Sequence, residues 1–516
     1  MYPGVQVKIR PDQPAFIMAS SGEAVTYAEL ERRTNRLARF LRAQGLRRLD
    51  HYAVFMENHV RFVECCGAGD RSGLYHTCVN SYLSPDELAY ILQNSTSKVL
   101  ITSAAKLETA REALKDAPGV ALCLVVDGPG DGERILNLDE ALAGLSDAPL
   151  PDERLGTPML YSSGTTGRPK GILRPLPDVA PAEGMPLFDF LTRLWRYRPD
   201  MVYLSPAPMY HSAPHTAVGL TIRSGGTAVI MERFDPEAFL ALVERYRVTH
   251  AQLVPTMFSR MLKLPDETRA RYDLSSLEIA IHAAAPCPEQ VKRQMIDWWG
   301  PIVQEYYGAT EGLGFTACDT PEWLAHPGTV GKVVLGDLHI LDEEMRPLAA
   351  GQSGTIWFKT ATAFEYFNDP DKTREVTSAD GEMTTVGDVG YLDDDGFLHL
   401  TDRATFMIIS GGMNVYPQEC ENLLITHPKV ADAAVFGVPN EDLGEEVKAV
   451  VQPMEGVAAG PALEEELIAF CRANLAHIKC PRSVDFMDQL PRLPTGKLYK
   501  RVLREPYWAG RSTRIL

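Results

Sequence analysis

Apolar residues recur every three or four positions in several stretches of this chain, and each stretch begins with a helix-starting signal. Thr26 stands three places before Glu29, a capping-box spacing, and Leu30, Leu37 and Leu41 then share one face. Ser84-Pro85-Asp86-Glu87 opens another helix, with proline in its first turn and Leu88, Ile91 and Leu92 facing inward. Asp235-Pro236 repeats the signal, followed by Phe239, Leu242, Val243 and Tyr246 at i, i+3, i+4 and i+7. Short apolar runs at 99–101, 122–126, 250–254 and 279–281, bounded by turn residues, predict strands. Their alternation over roughly the first four hundred residues implies an α/β fold of layered sheets and covering helices, in which loops at strand ends are the natural ligand sites.

After Leu400 the pattern becomes α+β. A helix at 418–424, strands at 433–438 and 447–451, a helix at 462–475 and a short strand at 484–486 predict a separate small domain. The expected division is a large domain over 1–402, a joint at 403–405 and a small domain over 406–516. No internal repeat is visible, and the Pro/Ala/Gly segment at 453–461 reads as a surface loop.

The length of 516 residues suits two or three domains. A net charge of -17 with no basic face disfavours nucleic acid as a partner. Nine cysteines, scattered and without C-x-x-C or Cys/His metal-ligand spacing, point to a reducing compartment and to no zinc site. No basic segment followed by an apolar run opens the chain, and no apolar run reaches eighteen residues, so the reading is a cytoplasmic protein without a membrane span.

Residues 161–171, Tyr-Ser-Ser-Gly-Thr-Thr-Gly-Arg-Pro-Lys-Gly, carry the first chemistry. Gly164 and Gly167 let backbone N–H groups face an anion. Ser162, Ser163, Thr165 and Thr166 add hydroxyl donors, and Lys170 adds a point charge. A triphosphate fits that set. The run is not the P-loop pattern, because Lys170 is followed by Gly171 rather than serine or threonine.

With four later segments this loop resembles the adenylate-forming family of acyl-CoA synthetases, luciferases and nonribosomal adenylation domains. The segments are Tyr307-Gly308-Ala309-Thr310-Glu311-Gly312, Gly387-Asp388-Val389-Gly390, the run from Asp402-Arg403 through Gly411-Gly412-Met413-Asn414-Val415-Tyr416-Pro417, and Pro494-Thr495-Gly496-Lys497. Together they span nearly the whole chain. The resemblance implies a large domain and a small mobile one, with ATP, Mg²⁺ and coenzyme A as reaction partners of a small carboxylic acid.

It also implies roles. Glu311 would hold Mg²⁺, with Thr166 and Thr310 supplying oxygens nearby. The Tyr307 ring would lie against adenine, within the 307–310 turn, and Ala283-Ala284-Ala285-Pro286 on its other side. Asp388 and Arg403 would bind the ribose hydroxyls. Lys497 would stabilise the charge built up when a carboxylate attacks the α-phosphate. Thr405, two places after Arg403, would be the hinge, and Gly411 and Gly412 would line a pantetheine tunnel. His211, in Pro208-Met209-Tyr210-His211-Ser212, would sit beside the acyl carboxylate, with Tyr210, Tyr306 and Gly312 lining the acyl pocket.

Three positions depart from the family pattern. Thr405-Phe406 replaces a charged hinge pair, Val386 stands where a threonine is usual, and the 283–285 turn is all alanine where glycines are common. The resulting expectation is an ATP-dependent acyl-CoA synthetase acting on a hydrophobic acid, a fatty acid or a bulky polycyclic terpenoid- or steroid-like one, with an aryl acid as alternative. A loader delivering to an acyl carrier protein, a luciferase-like oxygenase and a non-catalytic nucleotide binder are the other readings. An amino-acid substrate is disfavoured because the Tyr210-His211 segment supplies no anion for an ammonium group.

Overall fold

The helix starts read from the sequence are built as capped termini. Ser84 forms a full capping box with Glu87 around helix Pro85–Asn94. Thr26 accepts from the Glu29 N–H at the start of Tyr27–Ala43, and Asp235 accepts from Ala238 N–H at the start of Pro236–Tyr246. Each satisfies an N–H that has no partner within its own helix. Leu30, Leu37, Leu41, Leu88, Ile91, Leu92, Phe239, Leu242 and Val243 are all buried. The computed structural model describes residues 1–162, 169–359, 364–403, 406–410, 413–440, 442–492 and 498–509, the side chains of Asp402, Arg403 and Asn414 excepted.

The chain falls into two compact units, Met1–Leu253 with Leu264–Ile281 and Thr362–Arg374, and Val254–Lys263 with His282–Ala361 and Glu375–Leu516. In the first unit, six parallel strands lie in the order Ile135–Asn137, Leu122–Val126, Val99–Ser103, His51–Phe55, Tyr75–Cys78 and Thr157–Pro158. The strands at Val99–Ser103 and Leu122–Val126 are buried throughout, as parallel strands covered on both faces must be. The same unit carries a second set in which Val202–Ser205 pairs in parallel with Thr227–Ile230 and His250–Leu253.

In the second unit, Val303–Gly308 pairs antiparallel with Phe315–Cys318, and Asp388–Leu392 pairs antiparallel with Leu398–Arg403. Its C-terminal part is a sheet of strands Met413–Val415, Ile408–Ser410, Gly444–Pro453 and Val430–Asn440, with Ser483–Phe486 alongside. The helices Pro417–Leu424 and Pro461–Asn474 pack on this sheet through Cys420, Leu424, Leu463 and Leu467. The Val430–Asn440 and Gly444–Pro453 hairpin outruns the apolar stretches that predict it. Its backbone ladder continues through the pairs Pro439–Glu445 and Asn440–Gly444, beyond the apolar run that ends at Val438. The architecture is α/β with an α+β C-terminal part.

The fold brings some of the scattered cysteines together. All nine are free thiols, but they are not all apart: Cys66 Sγ lies 3.6 Å from Cys78 Sγ, and both stand among histidines. Sequence spacing fails here because a helix, a strand and a helix more than a hundred residues onward supply the members.

Candidate active site

In the first unit the phosphate-loop flanks form a hairpin. Strands Leu160–Ser162 and Lys170–Leu173 pair antiparallel with Ser162 opposite Lys170, so the two ends of the loop are brought side by side. The Lys170 ammonium sits 4.7 Å from the Tyr366 ring centroid, a cation–π contact that holds the lysine stem beside the loop. Ser163, Gly164, Thr165, Thr166 and Gly167 lie outside the described residues.

Tyr210 and His211 precede helix Ser212–Ser224, with His211 as its N-cap in extended conformation. Their rings lie 4.3 Å apart. Tyr210 is buried, and its hydroxyl has no hydrogen-bond partner among the described residues. Burial pushes that phenol well above its usual range, so it is a neutral donor wherever a ligand meets it. Asn58 fixes the segment: its amide donates to the Ala207 and Met231 carbonyls at 3.1 and 2.8 Å, and its oxygen accepts from Met209 N–H at 2.8 Å. Nothing in the sequence around Asn58 marks it, because its partners lie about 150 residues away.

In the second unit the nucleotide-facing candidates converge. Tyr307 donates through its hydroxyl to Asp388 Oδ2 at 2.8 Å, and the backbone register sets Asp388 opposite Arg403. The Tyr307 ring lies 6.4 Å from Phe358 at 26°. That packing needs Gly314, where a Cβ would fall 2.0 Å from the Phe358 ring. Tyr306, on the opposite face of the strand, stacks on Phe315 at 4.6 Å, and a Cβ at Gly308 would approach Phe315 to 3.0 Å. Thr310 and Glu311 follow in a turn closed by Gly312 N–H donating to the Ala309 carbonyl, with Gly312 at φ 75° and Glu311 buried. Beside Val386, Thr385 donates to the Ile356 carbonyl and accepts from Gly387 N–H, so its hydroxyl is spent on the backbone.

The 283–286 turn carries a strained residue. Ala284 has φ 74°, the left-handed region that a Cβ disfavours. Under the turn sits a charge pair that sequence reasoning missed. Lys292 on helix Glu289–Trp299 donates to Glu305 Oε2 at 2.6 Å, and His282 Nε2 stands 3.5 Å from the same oxygen, with all three side chains buried. Burial pushes the Glu305 carboxyl up and, with Lys292 beside it, holds His282 far below its ordinary value, so the histidine is neutral. The residues are i, i+10 and i+23 in sequence, a spacing that marks no motif.

Lys497, Thr405, Gly411 and Gly412 lie outside the described residues. Phe406 is described, and the Lys500 ammonium lies 5.3 Å over its ring while pairing with Glu421 at 2.8 Å.

A model of the AMP-binding enzyme family matches residues 5–367, and one of the AMP-binding enzyme C-terminal domain matches 419–497. The chain belongs to the AMP-binding enzyme family. It is 34% identical over 97% of both chains to a feruloyl-CoA synthase of Amycolatopsis. It is 32% identical over 97% of both to a long-chain-fatty-acid–CoA ligase of Mycobacterium tuberculosis. A Rhodococcus jostii CoA ligase, 33% identical over 95% of both chains, is named for a propanoyl group on a 7a-methyl-1,5-dioxo-octahydro-1H-indenyl ring system. The ATP-bound structure of MatB from Rhodopseudomonas palustris matches 99% of both chains at 30% identity with a TM-score of 0.80. An anthranilate CoA ligase shares the fold at a TM-score of 0.83 and 22% identity. As a member of this family the chain is an acid–thiol ligase that makes acyl-CoA through an adenylate. Among the described residues no helix is long and apolar enough to cross a membrane.

Proposed function

We propose that the acid is hydrophobic, a fatty acid or a bulky polycyclic one, and that free coenzyme A is the acceptor. The observation that carries this is the Tyr203 to Gly219 stretch, which has no acidic residue and in which Met209 and Tyr210 are buried. A charged or ammonium-bearing substrate would lack a partner there, and burying an unpaired charge costs several kcal/mol, about 3–5 by analogy with broken buried ion pairs. An aryl acid is the second reading, favoured by the feruloyl-CoA synthase relative.

The first half-reaction joins the acid carboxylate to the α-phosphorus of ATP and expels pyrophosphate. Lys170 and the hydroxyls of the 162–167 loop hold the β- and γ-phosphates that leave. Tyr307 and the 283–286 turn hold adenine, and Asp388 with Arg403 holds ribose. Lys497 supplies positive charge to the pentavalent phosphorus as it forms. Glu311, a buried carboxylate followed by a tight turn and preceded by the Thr310 hydroxyl, is the hard-oxygen donor set that Mg²⁺ prefers; with Thr166 it would hold the ion, which supplies charge neutralisation of the phosphates.

The second half-reaction sends the coenzyme A thiolate to the acyl carbonyl, breaking the C–O bond to AMP. His211 and Tyr210 border the acyl group. The small domain turning at Thr405 withdraws Lys497 and brings Gly411 and Gly412 to the pantetheine.

An adenylation screen tests the substrate assignment. Acids graded by chain length and ring size, with ferulate and an amino acid included, are assayed for acid-dependent pyrophosphate release. A fatty or polycyclic acid giving the highest kcat/KM supports the proposal; ferulate doing so transfers the assignment to the aryl reading.

A further inference from the structure

The Cys66–Cys78 pair found in the first unit belongs to a larger group. Cys66 lies on helix Phe62–Asp70, His76 and Cys78 on strand Tyr75–Cys78, and His215 in the first turn of helix Ser212–Ser224. All four side chains are buried, and one ligand atom from each lies within 4.8 Å of the others. His76 and Cys78 stand two apart on one strand, which points both side chains to the same sheet face.

Two of the spacings match tetrahedral edges, and the four ligand atoms lie within 4.8 Å of one another. Zinc bonds of about 2.3 Å to sulfur and about 2.05 Å to nitrogen require edges of about 3.8 Å between sulfurs, 3.4 Å between nitrogens and 3.6 Å between sulfur and nitrogen. Cys66 Sγ and Cys78 Sγ are 3.6 Å apart and His76 Nε2 and His215 Nε2 are 3.4 Å apart, which match the sulfur–sulfur and nitrogen–nitrogen edges; the other His215 nitrogen, Nδ1, lies 3.7 Å from Cys78 Sγ. The His215 ring therefore lies between its neighbours, with a nitrogen toward each.

We infer that Cys66, His76, Cys78 and His215 form a buried structural Zn²⁺ site, separate from the adenylation chemistry. Two thiolates and two neutral imidazoles around Zn²⁺ sum to zero charge, which a fully enclosed site requires. On binding, two thiol protons leave to solvent and four S–Zn and N–Zn bonds form, with no change in oxidation state. Asp70 Oδ1 stands 3.9 Å from His76 Nδ1, the ring atom not facing His215, in the place of the carboxylate that commonly orients a zinc-bound histidine. The ring has no slack behind it: a Cβ at Gly69 would fall 2.8 Å from His76 Nδ1 and 2.6 Å from the Tyr52 hydroxyl. Four buried protein ligands leave no open position, so the ion is structural. Soft thiolate and imidazole donors select zinc over magnesium or calcium.

The full-length chain, produced in minimal medium containing either Zn²⁺ or Co²⁺ and purified without chelator, tests the site. The expected result is one zinc per chain by elemental analysis. The Co²⁺ form should show the thiolate-to-cobalt charge-transfer band and strong visible bands of a tetrahedral sulfur-ligated ion. Cys66→Ser and Cys78→Ser should each remove that band. Metal-free wild-type protein that takes up no stoichiometric Co²⁺, cobalt bound without the thiolate band, or an intact mass two hydrogens short from a Cys66–Cys78 disulfide would each overturn the inference. Because the spectrum of the wild-type protein decides by itself, a variant that does not fold leaves the outcome intact. None of these readouts depends on which acid the enzyme activates.

Discussion

The Tyr307 hydroxyl donates to Asp388 Oδ2 at 2.8 Å, joining the residue proposed to face adenine to the one proposed to bind ribose. A hydrogen bond to a charged acceptor contributes about 1.5–3 kcal/mol. Part of that is orientation of the carboxylate before ATP arrives. Tyr307→Phe keeps the ring and deletes the donor, and it is expected to raise KM for ATP about tenfold with a smaller change in kcat. Steady-state kinetics at saturating acid measures both. An unchanged KM would show that Asp388 is held by other contacts.

Lys497→Ala is expected to lower acid-dependent pyrophosphate release by about 10²–10³, the range for removing one preorganised transition-state donor. Thioester formation from supplied acyl-adenylate should survive largely intact. Equal loss in both half-reactions would contradict the role given to this lysine.

Ala284 holds φ 74° in the 283–286 turn. A left-handed conformation costs an alanine about 1–2 kcal/mol, and glycine recovers it at an unfolded-state entropy cost of about 0.4–1 kcal/mol. Ala284→Gly should therefore raise stability by up to about 1.6 kcal/mol in urea unfolding. Destabilisation would mean that the alanine methyl makes a contact worth more than the strain.

Stability should fall with acid below about pH 6.5. Burial is the largest cause holding His51 and His250 at about 4 in the folded protein, against an ordinary value of 6.5. Above 6.5 both states carry neutral imidazoles. Between 6.5 and 4 the unfolded chain takes up protons that the folded one refuses, so the equilibrium shifts toward unfolding as pH falls. Each histidine contributes a slope of about 1.4 kcal/mol per pH unit over that window. Denaturant midpoints at pH 7.5, 6.0 and 5.0 measure it, and midpoints independent of pH would show that the two rings accept protons when folded.

Local signals were legible in the sequence and long-range ones were not. The Ser84, Asp235 and Thr26 helix starts and the apolar strand runs depend on neighbours a few residues away, and they stand where the pattern predicts. The family segments placed Tyr307 and Asp388 in one motif set, and the structure brings the two side chains together. Asn58, the Lys292–Glu305 pair beneath the 283–286 turn, and the Cys66–His76–Cys78–His215 group are contacts between distant elements. No spacing announces them. The last group is divided among two helices and a strand, which leaves only His76-x-Cys78 as a local trace.

The central claim is that this chain activates a hydrophobic acid as its adenylate and transfers it to coenzyme A. Mass-spectrometric detection of products from purified protein with ATP, Mg²⁺, coenzyme A and the best acid of the screen tests it most directly. The account predicts acyl-AMP and pyrophosphate when coenzyme A is withheld, and acyl-CoA with AMP when it is added. Acyl-AMP that accumulates unchanged in the presence of coenzyme A, or no acid-dependent pyrophosphate with any acid, would contradict it.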